Sequence, residues 1–135
     1  MGINANRETA DELFYCLSAG NIPGALATLT DDVEWTIAGR REELPTAGTY
    51  DKRRLEKLMK AMQSQMEGPM TFTLTGQVAE GDKMSIEAES VGRLNNGKTY
   101  EQQFHFLLEF RGGKICAVRE YLDTQHARNV WYAKA

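Results

Sequence analysis

Residues 100–123 read YEQQFHFLLEFRGGKICAVREYLD, two strands joined by a tight turn. On the first, Tyr100, Gln102, Phe104, Phe106, Leu108 and Phe110 share one face, while Glu101, Gln103, His105, Leu107 and Glu109 share the other. A period of two marks a strand with one face buried. Arg111-Gly112-Gly113-Lys114 supplies the glycines that a tight hairpin needs for positive φ. On the return strand Cys116, Val118 and Leu122 alternate with Arg119, Tyr121 and Asp123. Glu120 breaks the pattern, because the alternation puts its carboxylate on the apolar face. A carboxylate there has to be paired, hydrogen-bonded, protonated or open to a cavity. An inward Arg93 is one conceivable partner.

The rest of the chain sorts around that hairpin. Residues 1–6 read as a loose arm, and 7–19 as a helix with Ala10, Leu13, Phe14 and Leu17 at helical spacing. Gly20 stands where a left-handed cap belongs, and Asn21 can cap a short second helix carrying Pro23 in its first turn. Residues 33–37 read as a short strand and 38–49 as a loop covering an opening. A long third helix is expected over 51–67, with Leu55, Leu58, Met59, Met62 and Met66 as its apolar stripe. Four strands follow, the first with Phe72, Leu74 and Val78 alternating with threonines. The order α-α-β-α-β-β-β-β predicts an α+β cone, a curved antiparallel sheet wrapped around the third helix with a pocket at its wide end. One domain is expected over 1–135, its body at 7–124 and a tail at 124–135 whose Val130, Trp131 and Tyr132 are apolar enough to pack on the body or across a dimer.

Whether Glu87 and Glu89 join Glu120 turns on one loop. If Asn96-Gly97 makes a two-residue turn, both glutamates face inward opposite Phe106 and Phe104. If Asn95-Asn96-Gly97 is a three-residue loop, parity flips, so that Met84, Ile86 and Ala88 face inward and both glutamates are solvated. Under the first reading three crowded carboxylates cannot all stay ionised, and one kept neutral near pH 7 could act as an acid beside an ionised base. Such a set would also suit a bound cation.

Charge excludes little else. Sixteen Lys and Arg against nineteen Asp and Glu leave a net charge of −3, which gives no footprint for nucleic acid. No apolar run approaches the ~20 residues of a membrane helix. Cys16 and Cys116 lie far apart without metal-type spacing, and read as reduced, buried thiols of a cytoplasmic protein. Nothing asks for a metal or a cofactor. His105 falls on the outer face of its strand and His126 in the tail; both read as surface or interface residues.

The succession of a helix, Gly-Asn, a short helix, LTDDVEW, a glycine-containing loop, a helix, NNGKTY and RGGKICAVREYLDT resembles the SnoaL-like branch of the nuclear-transport-factor-2-like superfamily, with its cystatin-like α+β roll. The resemblance spans about residues 7–124. That group holds ketosteroid isomerases, limonene epoxide hydrolases and polyketide cyclases. The ketosteroid isomerase positions fall here on Leu13, Ile37 and Phe106, all apolar, so that reaction is excluded. The epoxide hydrolase acids fall on Glu89 and Glu120, its arginine on Glu87, and its water-holding tyrosine and asparagine on Trp35 and Ile37. The polyketide cyclases use a single acid–base carboxylate, which Glu89 or Glu120 could supply. The resemblance therefore implies a pocket for a small, mostly apolar organic molecule, worked by carboxylate acid–base chemistry of the isomerase, cyclase or hydrolase kind. Glu120 would be the principal acid/base, Glu89 its partner and Glu87 the group tuning both. Phe14, Trp35, Ile37, Met62, Gln102, Phe104, Phe106 and Val118 would line the pocket. It also implies a homodimer through the outer sheet face, where His105, Leu107, Arg119 and Tyr121 lie. The competing reading is a non-catalytic binding or scaffold domain.

Overall fold

The computed structural model describes residues 2–132. Helix α1 (Ile3–Ala19) ends on Gly20, whose φ of 72° lets the chain turn left-handed while Asn21 N–H donates to Cys16 O at 2.8 Å. The helix starts earlier than expected because buried Asn6 is fastened through Nδ2–H to Asp82 Oδ1 at 3.0 Å, so residues 3–6 are not a loose arm. Helix α2 (Ile22–Ala27) begins on Asn21, whose side chain accepts from Gly24 N–H at 3.0 Å. Helix α3 (Lys52–Ser64) is capped by Asp51 and is shorter than α1, so the longest helix is the first and not the third. Helix α4 (Thr124–Trp131), capped by Asp123, forms from the tail and seats Ala127 and Val130 in the core.

Six strands, β1 (Leu29–Ile37), β2 (Gly48–Tyr50), β3 (Thr71–Glu80), β4 (Lys83–Arg93), β5 (Thr99–Arg111) and β6 (Lys114–Leu122), pair in the order β2-β1-β6-β5-β4-β3 to make one curled sheet. The α+β roll expected from the sequence is present, with three changes. Strand β2 lies in what reads as loop, because its three residues are recruited only by pairing with β1. Strand β1 runs parallel to β6, so the sheet is mixed. A bulge between Leu74 and Gly76 turns Val78 outward, where it is 71% exposed, although its spacing put it with Phe72 and Leu74.

The β5–β6 hairpin follows the sequence closely. Gly112 (φ 60°) and Gly113 (φ 79°) form its two-residue turn, and Phe104, Phe106 and Leu108 stand opposite Leu122, Glu120 and Val118. A register shift between Glu109 and Phe110 gives Ile115 the buried place and leaves Cys116 only half-buried, whereas Cys16 is buried. The β4–β5 connection is the three-residue loop. Leu94 N–H donates to Lys98 O at 2.9 Å, and Gly97 takes φ 88°. Its length is fixed from outside: Asn95 N–H and Nδ2–H donate to Gln65 O and Ser64 O at the end of α3, at 2.8 and 3.1 Å. Met84, Ile86 and Ala88 therefore face the core, opposite Leu108, Phe106 and Phe104.

Candidate active site

The apolar stripe of α3 meets space rather than a packed wall. Of its residues only Leu55 is fully buried; Leu58, Met59 and Met62 are half-buried because they border a cavity of about 230 Å³. The opposite wall is the concave sheet face, where Trp35 and Ile37 of β1, Phe104 and Phe106 of β5, and Glu120 and Leu122 of β6 contribute. Leu44 and Thr46 reach in from residues 38–47, as expected of a loop over an opening. Ala127 and Trp131 of α4 close another side.

Glu120 is held in the middle of the sheet. Its backbone pairs with Phe106 on one side and Ile37 on the other, and its carbonyl accepts from Ala38 N–H at 2.9 Å. Trp35, one row away, points its indole at the same place: Nε1–H donates to Glu120 Oε1 at 3.0 Å. Among the described residues Oε2 has no partner, and no cation is paired with this carboxylate. Arg93, the candidate partner, lies on the outer surface and pairs with Glu67 at 3.1 Å. Glu120 is half-buried, open to the cavity, and the apolar walls around it disfavour the ionised form and push its carboxyl from 4.5 up to about 7, against the Trp35 hydrogen bond, which favours the ion. The group thus holds a proton that it can give or take near neutral pH. Burial likewise raises the nearby phenols of Tyr50 and Tyr100, leaving both neutral.

The three glutamates do not converge. Glu87 and Glu89 are exposed on the outer face, opposite His105 and Gln103, because the three-residue loop sets the odd-numbered residues of β4 outward. Neither reaches the cavity, so neither is placed to share a proton with Glu120 or to tune it. Of the expected lining, Trp35, Ile37, Met62, Phe104 and Phe106 border the cavity, whereas Phe14, Gln102 and Val118 do not. Phe14 sits beneath it, edge-on to Phe106 at 5.1 Å and 5.7 Å from Phe72. Val118 packs in the core below. Gln102 is a structural clamp: it accepts from Asp123 N–H at 2.8 Å and donates to Asp123 O at 3.0 Å and Tyr100 Oη at 2.9 Å, fixing the entry to α4.

Some cavity residues were not singled out from the sequence. Tyr100 shares the inward face of β5 with Phe104, and that alternation was signal enough to find it. Trp131 is signalled only by the apolar bulk of the tail. Its ring stands edge-on to Tyr100 at 5.5 Å, and His126 stacks on the same tyrosine at 5.4 Å. His126 Nε2 accepts from Glu101 N–H at 3.2 Å, and His105 on the outer face bonds Ser85, so neither histidine serves the cavity.

The SnoaL-like domain family profile matches residues 10–118. No curated protein matches the chain by sequence. Among solved structures, a nuclear-transport-factor-2-like protein of unknown function from Burkholderia pseudomallei superposes with TM-score 0.84 at 19% identity, covering 98% of this chain and 100% of that one. A nuclear-transport-factor-2-like protein from Burkholderia xenovorans gives TM-score 0.74 at 27% identity, covering 96% and 98%. The pinacolase BvnE from Penicillium brevicompactum gives 0.78 at 17%, covering 92% and 89%.

Proposed function

The chain belongs to the SnoaL-like domain family, and we propose that it is an acid–base enzyme of the isomerase, cyclase or hydrolase kind, acting on a small, mostly apolar organic molecule. One observation carries this reading: Glu120 stands alone in an apolar cavity, oriented by Trp35 and titrating at about 7. Protonated, Oε2 donates to a carbonyl or leaving oxygen; ionised, it takes a proton from carbon or water. Trp35 holds Oε1, so the proton moves on Oε2. With Glu87 and Glu89 outside, the chemistry is that of a single carboxylate, which favours proton transfer next to a carbonyl over hydrolysis needing two acids around a water. That the same fold carries a pinacolase is compatible with small-molecule chemistry in such a cavity.

The absence of a second carboxylate among the described cavity residues favours one alternative, a ligand-binding module without turnover. Deuterium exchange separates the two without knowledge of the substrate. Cyclic ketones incubated with the protein in deuterated buffer are followed by NMR at the α-carbons. An acid–base enzyme exchanges them, and Glu120→Gln lowers the rate by about 10²–10⁴-fold. Exchange that is equal in wild type and variant, or no exchange of any ketone that binds, favours the binding module. The reading also includes a homodimer through the outer sheet face, supported by exposed Val78 and Tyr121 beside Leu107, and a cytoplasmic setting, supported by two free thiols. No helix among the described residues is long and apolar enough to cross a membrane.

A further inference from the structure

The charge carried by the cavity is one-sided. Its wall includes no lysine, arginine or histidine among the described residues, and Glu120 is its single acidic side chain. The other titratable side chains bordering that space, Tyr100 from β5, Cys16 from α1 and Tyr132 after α4, add no carboxylate and no cation. Tyr50, from β2, stands nearby with its phenol donating to Thr46 O at 2.7 Å. The surrounding charges lie outside the cavity. Arg119, next in sequence to Glu120, is exposed on the outer face and pairs with Glu109 at 3.9 Å. Arg54 lies over the Tyr50 ring at 5.1 Å, and Arg41 stands in the exposed loop. Asp123 follows β6, and the Arg128–Glu43 pair at 2.7 Å is exposed to solvent. A carboxylate buried without a cation is costly, and it is relieved either by a proton or by a cation brought in. The remaining wall is aromatic as well as aliphatic: Phe72, Phe104 and Phe106 form a cluster with ring centres 5.0–6.4 Å apart, and Trp35 stands 6.3 Å from Phe106. Aromatic rings favour an organic cation over a hydrated one.

We propose that the cavity selects apolar molecules bearing a basic nitrogen, whose ammonium pairs with Glu120 Oε2 while the hydrocarbon lies against the aromatic and methionine wall. This assignment rests on the cavity being the ligand site, as the proposed function does, but not on turnover. The ligand supplies the cation that the fold withholds. When Glu120 is protonated, binding of an ammonium releases that proton to solvent, and the carboxylate and ammonium are left as a pair. An anionic ligand meets a like charge with no cation in the described wall to offset it. A neutral ligand fills the same space without the pairing.

Cyclohexylmethylamine, cyclohexylmethanol and cyclohexanecarboxylate, titrated into the full chain, test it. The chain's two tryptophans, Trp35 and Trp131, both border the cavity, so intrinsic fluorescence reads occupancy directly. At about pH 8 the amine is expected to bind at least about tenfold tighter than the alcohol, and the carboxylate weakest. Below neutrality the amine's affinity falls by about tenfold per pH unit, since one proton must then be displaced. Glu120→Gln removes the amine's advantage and keeps the alcohol's affinity, which also shows that the variant is folded. An alcohol that binds as tightly as the amine, a carboxylate that binds best, an amine preference that survives Glu120→Gln, or an amine that does not bind overturns the assignment. Amine binding without ketone exchange leaves this inference standing and sinks the catalytic one; exchange without amine preference does the reverse.

Discussion

Replacing Glu120 by glutamine should stabilise the protein, and by an amount that depends on pH in a definite direction. The carboxyl titrates at about 7 in the folded chain and near 4.5 when exposed, because burial disfavours its ion and only the Trp35 N–H favours it. Between those values the folded state holds a proton that the unfolded state has released, so unfolding releases it and stability falls as pH rises. Below the unfolded value both states are protonated and the cost vanishes. Above the folded value it is complete, about 3 kcal/mol at about 1.36 kcal/mol per pH unit between the two titrations. Glutamine keeps the shape and an oxygen for Trp35 Nε1–H, but carries no charge. Urea denaturation of both proteins at about pH 4 and about pH 8 reads the difference. The variant should match wild type within a few tenths of a kcal/mol at the lower pH and exceed it by about 2–3 kcal/mol at the higher. A variant no more stable than wild type at about pH 8 would refute the account, since it would mean the carboxylate is compensated where it sits.

Trp35→Phe removes the one hydrogen bond that favours the Glu120 ion, so the carboxyl should titrate higher still. Carbon-13 NMR of the glutamate carboxyls reads that movement, and denaturation should show a loss of about 1–3 kcal/mol. Gly24→Ala, normally helpful inside a helix, should here destabilise by about 1–3 kcal/mol, since the added methyl would lie 2.5 Å from Asn21 Nδ2 and 2.8 Å from Cys16 Sγ. A melting temperature that rises instead would show that the α1–α2 junction can give way. Glu87→Gln and Glu89→Gln should leave stability within about 0.5 kcal/mol of wild type and leave the Glu120 titration in place. A displaced Glu120 titration in either variant would mean that the outer carboxylates couple to the cavity after all.

The sequence by itself determined the faces along β5 and the inward side of Glu120. Alternation from Tyr100 to Phe110, with two glycines at the turn, was enough to put Glu120 on the inner face of β6 and to mark it as the residue needing an explanation. Capping at Gly20 and Asn21 was equally legible, because those signals act within a few residues. Tertiary structure decided parity between strands. A period-two pattern says which residues share a face, but one extra residue in a loop or bulge exchanges the faces of everything beyond it. Docking of Asn95 onto the end of α3 chose the loop length that turned Glu87 and Glu89 outward, and the bulge after Leu74 turned Val78 outward. Pairing of β2 with β1 and of β1 with β6 joins segments distant in sequence, and leaves no local mark. The same holds for the environment of Glu120: alternation placed it inside, but only the assembled walls, with Trp35 within reach and no cation among the described residues around it, made it a carboxyl that titrates at about 7.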